Sequence, residues 1–274
     1  MGATMERAPV NGVELEFDSA GSGEAVVFIH GMGFADTYLP LAFEPPLQDR
    51  YHVIRYRRRG YAGSTPVDGP VPVAEHAQDC RALLGALEVK QAHVVGHSYG
   101  TCVALQLAVD APGIVDSLAL FDPPLLTAPS APQWLEAVGP SVEKYMAGDR
   151  IGAIDDLFSA AGGPDWRSEM NRAVPGAAGQ VEKDAATLVE SDIPSAQEWR
   201  FGAEEAAKIK QPVLLLSGAE NHPMFIESRE LLGSWLPCTE SYVMPGANHL
   251  SYLFHPADTA ARLADFLKRD AIAA

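Results

Sequence analysis

No other stretch of this chain constrains its fold as tightly as Gly96-His97-Ser98-Tyr99-Gly100. These five residues follow an apolar run, AHVVG, and open a helix-like stretch, YGTCVALQLAVDA. A serine at an abrupt strand-to-helix turn is held in strained backbone geometry and stands clear of the sheet. Strand and helix crowd each other two residues either side of it, which favours glycine at both places. Gly96 and Gly100 occupy those places. The helix also points its N-terminus at the serine, a favourable field for a developing oxyanion.

The remainder of the chain agrees with that context. Apolar, β-rich runs at 13–17, 25–30, 52–56, 92–96, 117–121, 212–217 and 241–244 alternate with helix-like stretches at 74–87, 99–111, 227–235 and 257–269. Alternation of this kind predicts an α/β fold with a mostly parallel sheet flanked by helices. Continuous apolar runs such as VVFI and VLLL fit strands covered on both faces. The early piece VNGVELEFDSAGSG reads as an antiparallel hairpin at one edge. Between Pro123 and about Lys208 the rhythm breaks, leaving amphipathic helical stretches at 132–146, 151–161, 181–190 and 196–207. Gly162–Pro164 and Pro175–Gly176 mark turns among them. We therefore expect a core of residues 1–122 and 209–274, with 123–208 inserted after the sixth strand as a helical cap. Ligands in open α/β sheets bind beyond the carboxyl ends of the strands, where such a cap would lie. The alternative is that the insertion thickens one face of the core.

Four landmarks in order resemble the α/β-hydrolase superfamily, and the resemblance covers nearly the whole chain. The first is His30-Gly31-Met32-Gly33 after the strand AVVFI, where the family places its HG oxyanion loop. The second is Arg58-Arg59-Gly60-Tyr61-Ala62-Gly63-Ser64 after HVIRY, similar to the family's RGxGxS turn but with Ala62 in place of glycine. The serine turn itself is the third. The fourth is Pro245-Gly246-Ala247-Asn248-His249, between a strand and a final helix. The resemblance implies an eight-stranded type of sheet, Ser98 as nucleophile and His249 as general base. It also implies an oxyanion hole made by the backbone N–H groups of Met32 and Tyr99, whose side chains are then free to shape the pocket. His30 would brace that loop. Arg57–Arg59 are given no catalytic role and are compatible with a solvated run.

The other histidines compete poorly. His52 and His93 start strands, His76 lies on an expected surface helix, and His255 precedes a helix-starting proline. His97, beside the nucleophile, lines the pocket or packs, and His222 lies in a loop as a minor contender. The acid is harder. The family usually carries it three residues past the glycine that follows PVLLLS, and Asn221 stands there. Glu220, one residue earlier, and Asp122, at the end of LALFDPP, are the two substitutes. Asp122 is preferred, because a strand's carboxyl end points it toward the site and Pro123-Pro124 stiffens the chain just after it.

Composition narrows the function. A formal net charge of −16 opposes phosphate backbones and anionic lipid surfaces, so nucleic-acid and membrane partners are not expected. Three cysteines without CxxC spacing fit a reducing compartment rather than a disulfide framework or zinc site. The start MGATMERAPVNG lacks the apolar run of a signal peptide, which points to the cytoplasm. The expected activity is hydrolysis of a carboxylic ester or lactone of a small molecule, apolar or aromatic, without metal or cofactor. The cap candidates Trp134, Phe158, Trp166, Trp199 and Phe201 motivate that substrate class, although they could equally pack the cap. A serine nucleophile speaks against the epoxide hydrolases and haloalkane dehalogenases of the superfamily, which use aspartate. Carbon–carbon bond hydrolases are weaker candidates, since Leu250 stands where they usually carry tryptophan. A perhydrolase and a non-catalytic ligand sensor remain as alternatives, and oligomeric state is left open.

Overall fold

The computed structural model describes residues 5–273, so the expectation for the first four residues of MGATMERAPVNG lies outside them. Eight strands form one sheet: β1 (Glu6–Val10), β2 (Val13–Ala20), β3 (Glu24–Ile29), β4 (Tyr51–Tyr56), β5 (Ala92–His97), β6 (Val115–Phe121), β7 (Val213–Gly218) and β8 (Thr239–Met244). Their order is β1-β2-β4-β3-β5-β6-β7-β8. β2 pairs antiparallel with β1 and β4, and every other pairing is parallel.

The apolar runs divide by alternation, as a pleated strand requires. Val26 and Phe28 of β3 join one buried cluster while Val27 and Ile29 join the other. Leu214 and Leu216 of β7 likewise oppose Val213 and Leu215. Helices Val73–Ala86 and Tyr99–Asp110 supply the cover on one face, and Pro256–Ala273 on the other. At about 25 cal/mol per Å² of apolar surface, burial on both faces is the dominant favourable term for such strands.

Two local differences from the sequence reading have physical causes. β1 was not among the expected strands, because charged residues and Pro9 mask it. It is an edge strand, where a proline removes no ladder bond that must be made. Asn11 and Gly12, both at positive φ (48° and 77°), form its two-residue turn into β2. The second difference lies between β6 and β7, where every element is helical. The single helix expected over 181–190 is instead Ala177–Lys183 followed by a π-helical turn, Thr187–Asp192. The one expected over 196–207 is split into Ile193–Glu198 and Ala203–Ala206. Stacked rings of Trp199 and Phe201, 5.3 Å apart, fill the break. Among the described residues, no helix is long and apolar enough to cross a membrane.

Candidate active site

Ser98 is the residue immediately after β5 and caps the helix Tyr99–Asp110, with φ 50° and ψ −124°. A non-glycine residue in that region carries strain of about 1–3 kcal/mol, which the surrounding packing must hold. The packing is close enough to demand glycine on both sides. A Cβ on Gly96 would collide with the Gly100 carbonyl, and one on Gly100 with the Ile29 carbonyl of β3. Tyr99 begins the helix, so its N–H lies in the first turn, where no helical carbonyl is behind it. Met32 follows β3 and lines the same cavity as Ser98.

Asp122 is the residue immediately after β6, also at φ 50°, and is 3% exposed. Its Oδ2 lies 3.4 Å from His249 Nδ1, longer than an ordinary hydrogen bond. Among the described residues that nitrogen has no hydrogen-bond partner. Such contacts are often long without substrate and tighten with it. The other carboxylate oxygen, Oδ1, accepts from Asn221 Nδ2 at 2.6 Å. The amide at the family's usual acid position thus donates to the alternative acid. Glu220 is exposed, and its backbone N–H bonds the Ala247 carbonyl at 2.9 Å.

His249 is held by aromatic neighbours. Its ring stacks on Phe225 at 4.2 Å and lies 4.6 Å from the ring of His97. His97 Nε2 is 3.0 Å from the His249 carbonyl, which can only accept, so the bond assigns the His97 proton to Nε2. Burial first, and then the neighbouring His249, hold the His97 pKa well below the usual imidazole range. His97 is therefore neutral around neutral pH. His97, Asp122 and His249 offer ligand-type atoms within 4.8 Å of one another, the one such group among the described residues.

Ser98, His97 and His249 open on a single cavity of about 150 Å³. Its walls are apolar, with Met32 and Phe34 on the β3 side and Trp134, Leu157, Phe158 and Leu188 from the helices between β6 and β7. Among the described residues no Asp, Glu, Lys or Arg lines it. Of the five aromatic candidates, Trp134 and Phe158 reach the cavity. Trp166 is fully buried behind Phe158, and Trp199 and Phe201 stack on each other.

Three sequence readings change. Arg57–Arg59 are not a solvated run, since Arg58 is completely buried and Arg59 is 7% exposed. Their position just past β4, at the same sheet end as Ser98 and Asp122, was the available signal. His76 is buried at 1% exposure, with its Nε2 3.2 Å from Arg58 Nη1. The Tyr99 side chain does not shape the cavity but lies under the Arg58 guanidinium, 4.7 Å from ring centre to Cζ. Nothing in the sequence marked Asn221 as a donor to Asp122, or Phe225 as the platform under His249.

A family model described as the alpha/beta hydrolase family matches residues 26–262. Among curated proteins, the dihydrolipoyllysine-residue acetyltransferase component of the acetoin cleaving system of Cupriavidus necator is 38% identical over 122 residues. That match covers 44% of this chain and 32% of the relative, so the chain spans about a third of the curated relatives it matches. Among solved structures, a thermophilic esterase from Thermogutta terrifontis superimposes with a TM-score of 0.82 at 18% identity, covering 98% of this chain and 99% of that one. The enol-lactonase from Burkholderia xenovorans LB400 gives 0.75 at 20% identity, covering 96% and 100%. At such identities the likeness is one of fold.

Proposed function

The chain belongs to the alpha/beta hydrolase family, and on that premise we propose that it is a serine hydrolase of carboxylic esters or lactones working by two-step acyl transfer. The observation that carries this reading is the convergence of Ser98 and His249 on one apolar cavity, with Asp122 3.4 Å behind the imidazole. In the first step Ser98 Oγ adds to the substrate carbonyl carbon while His249 accepts the hydroxyl proton. Asp122 holds the tautomer and stabilises the imidazolium. The N–H groups of Met32 and Tyr99 receive the oxyanion, whose charge appears only at this stage. Collapse expels the alcohol, which takes the proton from His249. Water then repeats the sequence on the acyl-enzyme and releases the acid. His97 acts at one remove, fixing the His249 loop through its carbonyl and closing one side of the pocket.

The substrate class follows from the walls. Among the described residues, a carboxylate-bearing substrate meets no Lys or Arg in the cavity, and it approaches a protein of formal charge −16. An uncharged, apolar or aromatic acyl group fits it. Residues 123–208 act as a cap that supplies the outer walls, and the three free cysteines suit a cytoplasmic setting.

Intact mass after treatment with a small fluorophosphonate tests the assignment on wild type and Ser98→Ala. A single adduct on wild type alone is expected, followed by faster turnover of neutral aryl and alkyl esters than of esters with a carboxylate in the acyl chain. Failure to label either protein would favour a non-catalytic ligand sensor.

A further inference from the structure

Behind the loop 30–33 lies a second buried polar cluster that none of the acyl-transfer steps uses. Arg58 and Asp192 are both fully buried and pair through two bonds, Nη1 to Oδ1 at 3.0 Å and Nη2 to Oδ2 at 2.6 Å. The guanidinium also faces the rings of Tyr61 and Tyr99. Burial opposes its charge, but its polar neighbours, Asp192 foremost, together outweigh that and raise its pKa. Beyond Asp192, Nη1 lies 3.2 Å from His76 Nε2, and the other bonds go to the main chain of the loop. Arg58 Nη2 donates to the Gly31 carbonyl at 3.0 Å and Nε to the His30 carbonyl at 3.3 Å.

Two further contacts pin the same loop. The backbone N–H of Arg58 donates to His30 Nε2 at 2.9 Å, so the His30 proton sits on Nδ1, which lies 2.8 Å from the Gly31 carbonyl. The Tyr61 hydroxyl accepts from the Gly33 N–H at 2.9 Å and donates to Asp192 Oδ2 at 2.6 Å. Burial first, and then Asp192, keep that phenol well above its usual pKa, hence protonated.

The Gly31 carbonyl and the Met32 N–H belong to one peptide unit. The unit is planar and trans, so the two groups point in opposite directions. Whatever fixes the carbonyl therefore aims the N–H. A cation and an imidazole N–H on the carbonyl oxygen also polarise the unit and strengthen its N–H as a donor. The following peptide is fixed in turn through Gly33. Asp192 comes from the π-helical turn Thr187–Asp192, and the same segment is tied to the loop after β4 by Thr187 Oγ1 on the Gly60 carbonyl at 2.6 Å. Turns of this kind recur at functional sites.

We propose that Arg58, Tyr61 and Asp192 form a buried brace that aims the Met32 N–H at the oxyanion. Asp192 is the positioning residue through which the helices between β6 and β7 set the catalytic rate. This rests on the reading of Met32 as an oxyanion donor. Displacing such a donor lowers turnover without weakening ground-state binding, because the donor acts on charge present only in the transition state.

The test compares wild type, Tyr61→Phe and Asp192→Asn on an uncharged ester, with active sites counted by fluorophosphonate titration run to completion. Tyr61→Phe keeps the ring and the Arg58–Asp192 pair, so it is the variant to rely on if Asp192→Asn does not fold. The expected result is a kcat per titrated site about tenfold lower in Tyr61→Phe and about 100-fold lower in Asp192→Asn, with KM within about threefold. Affinity for a trifluoromethyl ketone, which places a hemiketal oxyanion in the same position, should fall with kcat/KM. A merely structural role would lower the melting temperature and the number of titratable sites, leaving kcat per site and ketone affinity unchanged. That result for Tyr61→Phe overturns the brace while leaving the hydrolase reading intact. A wild type that neither labels nor turns over any ester overturns both.

Discussion

Two residues of the central sheet, Ser98 just past β5 and Asp122 just past β6, both sit at φ 50° although neither is glycine. Their main chains are held alike. The Ser98 N–H bonds the Phe121 carbonyl on β6 at 2.8 Å, and the Asp122 N–H bonds the Leu216 carbonyl on β7 at 2.9 Å. Each strand thus keeps one more sheet bond before the chain swings its next side chain toward the site. Beyond that point the two turns diverge. After Ser98 a 12-residue helix folds back at once, bringing its N-terminal N–H groups to the nucleophile and requiring Gly96 and Gly100. After Asp122 come Pro123 and Pro124, and the next helix begins only at Ala131. No helix folds back over the strand there, and Leu120 and Pro124 stand where the glycines stand around Ser98. Ser98 reaches the cavity, whereas Asp122 lies behind it and is in range of His249 and Asn221. One backbone device thus delivers two side chains, one for contact with substrate and one for contact with the base.

Substitutions at the two turns measure how far that parallel extends. Ser98→Ala should lower kcat by about 10⁶-fold, since the nucleophile has no substitute. Asp122→Asn should cost about 10⁴-fold in kcat with KM little changed, because the neutral amide no longer stabilises the imidazolium. Steady-state kinetics on one ester reads both, and a mild Asp122→Asn would break the comparison by removing the acid turn from the chemistry. Asn221→Ala sharpens it by deleting the one amide that orients Asp122 Oδ1. A hydrogen bond to a charged group is worth about 1.5–3 kcal/mol, so a kcat loss between about tenfold and about 100-fold is expected. Glu220→Gln should change kcat/KM by less than about twofold, as for an exposed residue outside the site. A severe Glu220→Gln beside a harmless Asp122→Asn would transfer the acid to the loop after β7.

The unequal legibility of the two turns has the same origin. The serine turn is visible in the sequence because close packing forces glycine at fixed offsets, and a fixed offset is something a linear reading detects. The acid turn imposes no such spacing, so Asp122 is reached through the family resemblance and by its place at a strand end. Arg58 went unrecognised because three consecutive arginines look solvated until a partner removes one from water, and that partner, Asp192, is 134 residues away. The helices over 181–207 were misdrawn because their breaks answer to distant contacts, such as the Trp199 indole on Gln106 and Thr187 on Gly60.

The sequence by itself determined seven of the eight strands, their cover on both faces and the strand-to-helix turn at Ser98. All of these follow from local periodicity and from steric rules acting within a few residues. Tertiary structure alone decided that Asn221 donates to Asp122, that Phe225 lies under His249, and that Asp192 closes on Arg58 and Tyr61. Those are pairings between side chains about 24 to 134 residues apart. Their partners are chosen by the need to satisfy buried polar groups and fill space once the chain has folded, and no local pattern records that choice.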